Sequence, residues 1–179
     1  MEYNLAMKTF ITGGAGFIGS HLAEYLLSLG QQVVILDNFN EIDNGNLRQP
    51  NRSNNFKIIK GSILDQDLVS ELMKGVTHCY HLAAALGVEK IAHDPIISLE
   101  TNLMGSQIVL KAAAISGVRT LLASSSEVYG KNPNMPLSED SDRVLGSPEI
   151  ARWSYSEAKA LDELHAFELY KNKAFPVTI

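Results

Sequence analysis

Thr12-Gly13-Gly14-Ala15-Gly16-Phe17-Ile18-Gly19 decides how this chain is read. The stretch follows an apolar pair, Phe10-Ile11, and precedes a segment with Leu22, Leu26 and Leu29 at helical spacing. A glycine cluster between a strand and a helix is a phosphate-binding turn. Glycine reaches dihedrals closed to other residues and lets the main chain touch an anion. The helix start offers that anion unpaired N–H groups and a partial positive charge. Gly14-x-Gly16-x-x-Gly19 has the spacing of a dinucleotide-binding turn, and Gly13-x-x-Gly16-x-x-Gly19 is a wider spacing of the same kind. A glycine-rich turn without a ligand is the alternative at this point.

Around that turn the chain alternates strand and helix. The pattern predicts strands at Lys8–Thr12, Gln32–Leu36, Phe56–Lys60, His78–Leu82 and Thr120–Ser124, with Pro176–Ile179 starting a sixth. Helices are expected at Gly16–Leu29, closed by Gly30, at Gln66–Lys74, and from Pro95 to Ser116. Asp94-Pro95 is an N-cap followed by proline at the first helical position, and Gly117 is placed to end that helix. Gly105 inside it costs stability unless another backbone comes close. A last helix begins near Ser154, with Ala158, Leu161 and Leu164 on one side. The polar stretch Asn38–Asn55 and the small residues Ala83–Lys90 read as loops, as does Gly130–Arg152. Repeated βα units imply a doubly wound parallel sheet with right-handed crossovers, a three-layer α/β/α sandwich of the Rossmann type. Ligands of such sheets bind at the carboxyl ends of the strands, beside the point where strand order reverses.

The bulk numbers narrow the function. At 179 residues the length suits one domain. A net charge of −5 and the lack of a basic stripe argue against nucleic acid. No apolar run is long enough to cross a bilayer, and the N-terminus does not read as a signal peptide. One cysteine, Cys79, lies in a strand and reads as a small buried hydrophobe, so a reducing, cytoplasmic setting is expected. His21, His78, His81, His93 and His165 lack metal-ligand spacing and are taken as structural or exposed, so no metal is expected.

A dinucleotide half calls for an acid about twenty residues past the glycines, at the end of the second strand, to bind the adenosine ribose. Asp37 stands there. Its charge would repel a 2′-phosphate, and no arginine follows closely, so NAD is expected over NADP. Farther along, Tyr155-Ser156-Glu157-Ala158-Lys159 places a phenol and an ammonium one helical turn apart. A cation near a phenol favours the phenolate and makes it a usable base near neutrality. Ser124-Ser125-Ser126-Glu127-Val128-Tyr129-Gly130 supplies a hydroxyl at the end of the fifth strand.

Thr12-Gly13-x-x-Gly16-x-x-Gly19, His81-Leu82-Ala83-Ala84, Asn102, the Ser124–Gly130 segment and Tyr155-x-x-x-Lys159 together resemble the extended short-chain dehydrogenase/reductases. More narrowly they resemble the NAD-dependent epimerase/dehydratase group acting on nucleotide sugars. The resemblance implies Tyr155 as base, Lys159 as its partner and Ser125 as the hydroxyl holding the sugar O4. Cofactor contacts would come from Gly13, Gly16, Phe17, Ile18, Gly19, Asp37, Asn38, Ser62, Ile63, Leu82, Ala83, Ala84, Asn102, Tyr155 and Lys159. It implies transient oxidation at sugar C4 by NAD⁺. Glu127 and Ser126, with Arg152 three residues before Tyr155, look most like the UDP-glucuronate decarboxylases. A UDP-sugar 4-epimerase is the second reading, and a capping or salt-bridging acid is the plain role for Glu127.

Two departures stand against the family pattern. Gly61-Ser62, with Asp65 three residues on, replaces the acid that usually contacts adenine, and the resemblance then implies weaker adenine fixation, with Asp65 a helix cap. Family members are also about twice as long, their carboxyl-terminal half binding the substrate nucleotide. The resemblance therefore implies an NAD-binding domain over 1–179 without that half. A cofactor-binding module without activity of its own is the reading from another class. The family also implies a homodimer through the helices bearing Asn102 and Tyr155.

Overall fold

The computed structural model of the chain describes residues 7–39, 54–85 and 94–179. Six strands form one parallel sheet: β1 (Lys8–Thr12), β2 (Gln32–Asp37), β3 (Phe56–Lys60), β4 (His78–His81), β5 (Arg119–Leu122) and β6 (Val177–Thr178). Their order across the sheet is β3-β2-β1-β4-β5-β6, with Thr12 opposite Leu36 on one side and His81 on the other. Strand order reverses between β1 and β4, so the crevice at their carboxyl ends is where such a sheet takes a ligand.

Successive strand residues point to opposite faces, and both faces are covered. Phe10, Val34 and Leu36 face a core closed by α2 (Gln66–Leu72), α4 (Ser106–Ser116) and α5 (Ser154–Lys173), with Val69, Val109, Leu110 and Leu169 packed on them. Ile11, Val33 and Ile35 face the other way, onto Ala23 and Leu26 of α1 (Phe17–Ser28). Each large side chain so buried contributes roughly 1.5–3 kcal/mol against exposure. This is the Rossmann arrangement expected from the alternation of elements. No helix among the described residues is long and apolar enough to cross a membrane.

The punctuation of the helices is local chemistry. The Asp65 carboxylate accepts from Leu68 N at 3.0 Å and caps α2, so Asp65 is a cap as expected. Asp94 caps α3 (Pro95–Leu99) by accepting from Ile97 N at 3.1 Å. Gly30 and Gly117 end their helices in the left-handed region.

Four expectations change. The helix from Pro95 to Ser116 is interrupted by a π-helical turn, Glu100–Gly105, between α3 and α4. At Gly105 the close neighbour is a side chain: a Cβ there would lie 2.4 Å from Ile63 Cδ1, so Ile63 fills the space that glycine leaves. Leu161 and Leu164 are exposed; the face of α5 turned to the core carries Ala158, Asp162, Ala166 and Leu169, at three- and four-residue steps. Leu29 is also exposed, because α1 buries Gly19, Ala23 and Leu26 and has ended by Leu29. The expected loop over Asn38–Asn55 and most of the one over Ala83–Lys90 lie outside the described residues, as does His93.

Candidate active site

The glycine turn is built around close backbone approaches. Gly13 has φ +70°, and a Cβ on it would lie 2.7 Å from Ala83 N, so the turn presses on the chain leaving β4. A Cβ on Gly19 would lie 2.5 Å from Gly13 O, which lets α1 start directly against the turn. Gly16 is the N-cap, with no side chain capping the helix and no acid in its first turn. The first N–H groups of α1 therefore face outward at a positive helix end, with Phe17 and Ile18 largely exposed beside them. This is a cradle that fits a pyrophosphate.

Asp37 ends β2 and is already oriented. Its Oδ2 accepts from Ala15 N at 3.0 Å and its Oδ1 from Phe39 N at 2.9 Å. The Asx turn thus sets the orientation of the carboxylate, and Phe39 takes a left-handed φ of 61° in that turn. Asn38 is exposed next to it. Ser62 follows β3, but its Oγ is engaged in its own turn, accepting from Leu64 N at 3.1 Å, while Ile63 is buried. Leu82, Ala83 and Ala84 leave β4 beside the glycine turn, half-buried. Asn102, in the π turn, fixes that loop: its Oδ1 accepts from Ala85 N at 2.7 Å and its Nδ2 donates to Ala85 O at 3.1 Å.

Beyond β5, Ser125 opens a short 3-10 turn, Ser126–Tyr129, and accepts from Glu127 N at 3.2 Å. Tyr155 and Lys159 rise from the first turns of α5. The Lys159 ammonium donates to Ala123 O at 2.9 Å, which ties α5 to the end of β5. A second tie was not foreseen: the Ser124 hydroxyl donates to Glu163 on α5. Arg152 reaches both Glu127 oxygens, at 3.3 and 3.4 Å, and lies 5.5 Å over the Trp153 ring. Glu127 is therefore a salt-bridging acid in this chain, whatever else it does.

One electrostatic expectation fails. Tyr155 is not held below the ordinary phenol range but above it. Burial pushes it up, a hydrogen bond with Ser125 opposes that, and the Glu127 and Asp162 carboxylates push it further up. Burial is the largest of these causes, and the Lys159 charge is balanced: Asp162 Oδ2 stands 3.6 Å from Lys159 Nζ, and both side chains are buried. Burial lowers Lys159 and Asp162 opposes it. Asp162 itself is raised to about 6, again by burial.

Asp162 and Ser106 drew no notice in the sequence, Thr12 appeared there only at the head of the glycine motif, and His81 as structural or exposed. It is fully buried, its Nδ1 2.6 Å from Thr12 Oγ1 and its Nε2 3.0 Å from Ser106 Oγ. Burial and the Lys159 charge push its pKa down to about 3, so the ring is neutral. The spacing of Lys159 and Asp162, three apart on one helix face, was the one local sign of this. Cys79 is buried, its thiol pushed up to about 12, which fits its reading as a hydrophobe.

The chain as a whole is similar to known proteins. The chain is 42% identical over 172 residues to a UDP-N-acetyl-alpha-D-glucosaminuronate decarboxylase of Bacillus cytotoxicus, covering 96% of this chain and 52% of that protein. A UDP-N-acetylglucosamine 4-epimerase from Methanobrevibacter ruminantium M1, solved with UDP-N-acetylmuramic acid, superposes with a TM-score of 0.84 at 31% identity, over 96% of this chain and 53% of the other. The dTDP-glucose 4,6-dehydratase DesIV of Streptomyces venezuelae, solved with NAD bound, gives 0.83 at 29%, over 96% and 54%. The chain thus spans about half the length of the relatives it matches. The sequence pattern of GDP-mannose 4,6 dehydratase matches residues 10–179. From the glycine turn to the last strand, the chain belongs to that family, within the NAD-dependent epimerase/dehydratases of the extended short-chain dehydrogenase/reductase group.

Proposed function

We propose that this chain is the cofactor-binding half of an NAD-dependent enzyme that decarboxylates a UDP-linked uronic acid. UDP-glucuronate and its 2-acetamido counterpart are the substrates to compare, the second because of the Bacillus relative. The observation that carries the reading is the convergence of Ser125, Tyr155 and Lys159 at the end of β5, with Glu127 and Arg152 beside them. Bound at the glycine turn with its ribose on Asp37, NAD⁺ would supply the hydride acceptor. The protein's own groups do the rest. Ser125 holds the sugar O4, and Tyr155 takes the O4 proton. Lys159 would hold the ribose and, against the burial that raises Tyr155, favour the phenolate that the proton transfer needs. A 4-keto sugar bearing a C5 carboxylate is a β-keto acid and loses CO2 readily; C5 would then take a proton, and C4 would regain the hydride as Tyr155 returns the proton to O4, giving the UDP-pentose. Arg152 would hold that carboxylate, and Glu127, paired with Arg152, would orient it.

The second reading is 4-epimerisation of a UDP-sugar, favoured by the likeness to the methanogen epimerase. A third is an NAD-binding module without turnover, favoured by the half-length match. We also assign a second copy of the chain as partner. Ile96, Ile97 and Met104 on the helix bearing Asn102, and Leu161, Leu164 and Phe167 on α5, leave apolar surface exposed. Incubation with NAD⁺ and each UDP-uronate, followed by mass spectrometry, separates the readings. CO2 release with a UDP-pentose product is expected. An isomer of unchanged mass would favour the epimerase, and NAD⁺ binding by calorimetry without turnover would favour the module. Tighter NADP⁺ than NAD⁺ binding would overturn the role given to Asp37.

A further inference from the structure

The face of α5 turned to the sheet carries a carboxylate in the core. Asp162 is fully buried, one turn beyond Lys159, and neither of its oxygens has a well-formed hydrogen bond. A charge in that position needs a compensating partner. Two groups face it: the Lys159 ammonium at 3.6 Å and the Ser106 hydroxyl from α4. Glu163, the next residue on α5, adds a like charge.

Ser106 continues the contact inward to His81 Nε2 at 3.0 Å, and His81 Nδ1 continues it to Thr12 Oγ1 at 2.6 Å. Thr12 Oγ1 accepts from Ala83 N at 3.3 Å. Thr12, His81, Ser106 and Asp162 are all fully buried. One direction of this file gives every donor an acceptor. Thr12 has one proton to give, and His81 Nδ1 is its acceptor. His81 then carries its proton on Nε2 and donates to Ser106, whose own proton points at Asp162. An ionised carboxylate is the acceptor that lets each of these bonds form at once. Lys159 gives one proton to Ala123 O and turns a second toward Asp162, which leaves a third for a ligand.

We propose that Asp162 is a positioning residue for Lys159, each favouring the charged form of the other, with Ser106 at the end of the buried file Thr12–His81–Ser106 turned toward the carboxylate, so that the glycine turn and the lysine are joined by one polar contact path. The proposal rests on the reading of Tyr155 and Lys159 given above. Asp162 touches neither substrate nor cofactor. It keeps a buried ammonium charged and aimed along the end of β5, beside Tyr155.

The test is NMR of the isotope-labelled chain, with turnover measured in parallel. In the wild type, the His81 ring should be the Nε2–H tautomer. Lys159 Nζ and His81 Nε2 should both shift with the same inflection as the Asp162 carboxyl, near pH 6. In Asp162→Asn that inflection should vanish and the proton affinity of Lys159 should fall at least about tenfold. Asp162→Glu should restore part of both. With a UDP-uronate, Asp162→Asn should lower kcat about tenfold or more and leave KM within about twofold, as a misplaced group does. Wild-type Lys159 and His81 signals that ignore the Asp162 titration would overturn the proposal without any variant. So would an Asp162→Asn chain whose Lys159 keeps its proton affinity. If the titrations couple as stated but the wild type turns over no uronate, the proposed function fails and the positioning role stands.

Discussion

Replacing Gly13 with alanine combines two strains that other glycines carry separately. Gly117 has φ +65° with open space around it, so Gly117→Ala reports the left-handed backbone alone, about 1 kcal/mol. At Gly19 no left-handed angle is involved, but a Cβ would lie 2.5 Å from Gly13 O and 2.6 Å from Gly14 Cα. Backbone cannot step aside as a side chain can, and overpacking of this kind costs roughly 1–3 kcal/mol. Alanine returns up to about 1 kcal/mol of helix propensity there. Gly13→Ala meets both conditions: φ +70°, and a Cβ 2.7 and 2.8 Å from Ala83 N and Cα. Its expected cost is about 2–4 kcal/mol, a large share of the roughly 5–15 kcal/mol that holds a domain together. Urea unfolding followed by circular dichroism reads this directly. With a slope of roughly 2 kcal/mol per molar urea, the Gly13→Ala midpoint should fall by about 1–2 M, and that of Gly117→Ala by about 0.5 M. A Gly13→Ala midpoint equal to that of Gly117→Ala would refute the reasoning, because it would mean that the contact with Ala83 relaxes freely.

Cys79 should resist thiol reagents in the native chain and react at the rate of unfolding, since it is buried with its thiol pushed up to about 12; fast labelling of folded protein would contradict this. Two buried groups should oppose one another in the pH dependence of stability. The unfolded His81 ring takes a proton below its ordinary 6.5 and the folded ring only near 3, so stability present above 6.5 is lost as pH falls. Folded Asp162 takes its proton near 6 and the unfolded residue near 3.8, so stability is gained between those values as pH falls. In Asp162→Asn the His81 effect should stand alone, a loss of up to about 1.4 kcal/mol per pH unit between roughly pH 6 and 4. Urea midpoints across that range with the same slope in both chains would contradict it. Gly146→Ala should displace Trp153, because a Cβ would lie 2.0 Å from its Nε1. Trp153 is the single tryptophan, so its emission should shift to the red, and an unchanged spectrum would show that the loop gives way instead.

What could be read from the sequence was what the chain writes locally. The glycine turn, Asp37, the Asp65 and Asp94 caps and the Tyr155–Lys159 pair each depend on neighbours within a few residues or on a position in a βα unit. Thr12, His81 and Ser106 meet across 69 and 25 residues, so their partnership exists only once β1, β4 and α4 are side by side. The face of α5 was misjudged for a related reason. Leu161 and Leu164 look like core at helical spacing, and Asp162 looks like surface, yet the sheet takes the aspartate and leaves the leucines exposed. Of the π turn at Glu100–Gly105 the sequence showed only that Gly105 weakens the helix; its effects, Asn102 on Ala85 and Gly105 on Ile63, are tertiary. Tyr155 went wrong because burial, which raises a phenol, is set by the fold, and because Glu127 and Asp162 come near it only there.

The two backbone donors on Asp37 bear on how a diol would be received. The carboxylate is held from one side by Ala15 of the glycine turn and from the other by Phe39, and each oxygen keeps a lone pair free of these bonds. Immobilising a side chain on association ordinarily costs about 0.5–1.5 kcal/mol. Here that ordering is done by folding, with Phe39 held in a left-handed conformation as part of it. A partner of the right shape meets a finished template, and one with the wrong charge gains nothing by waiting for the acid to swing aside.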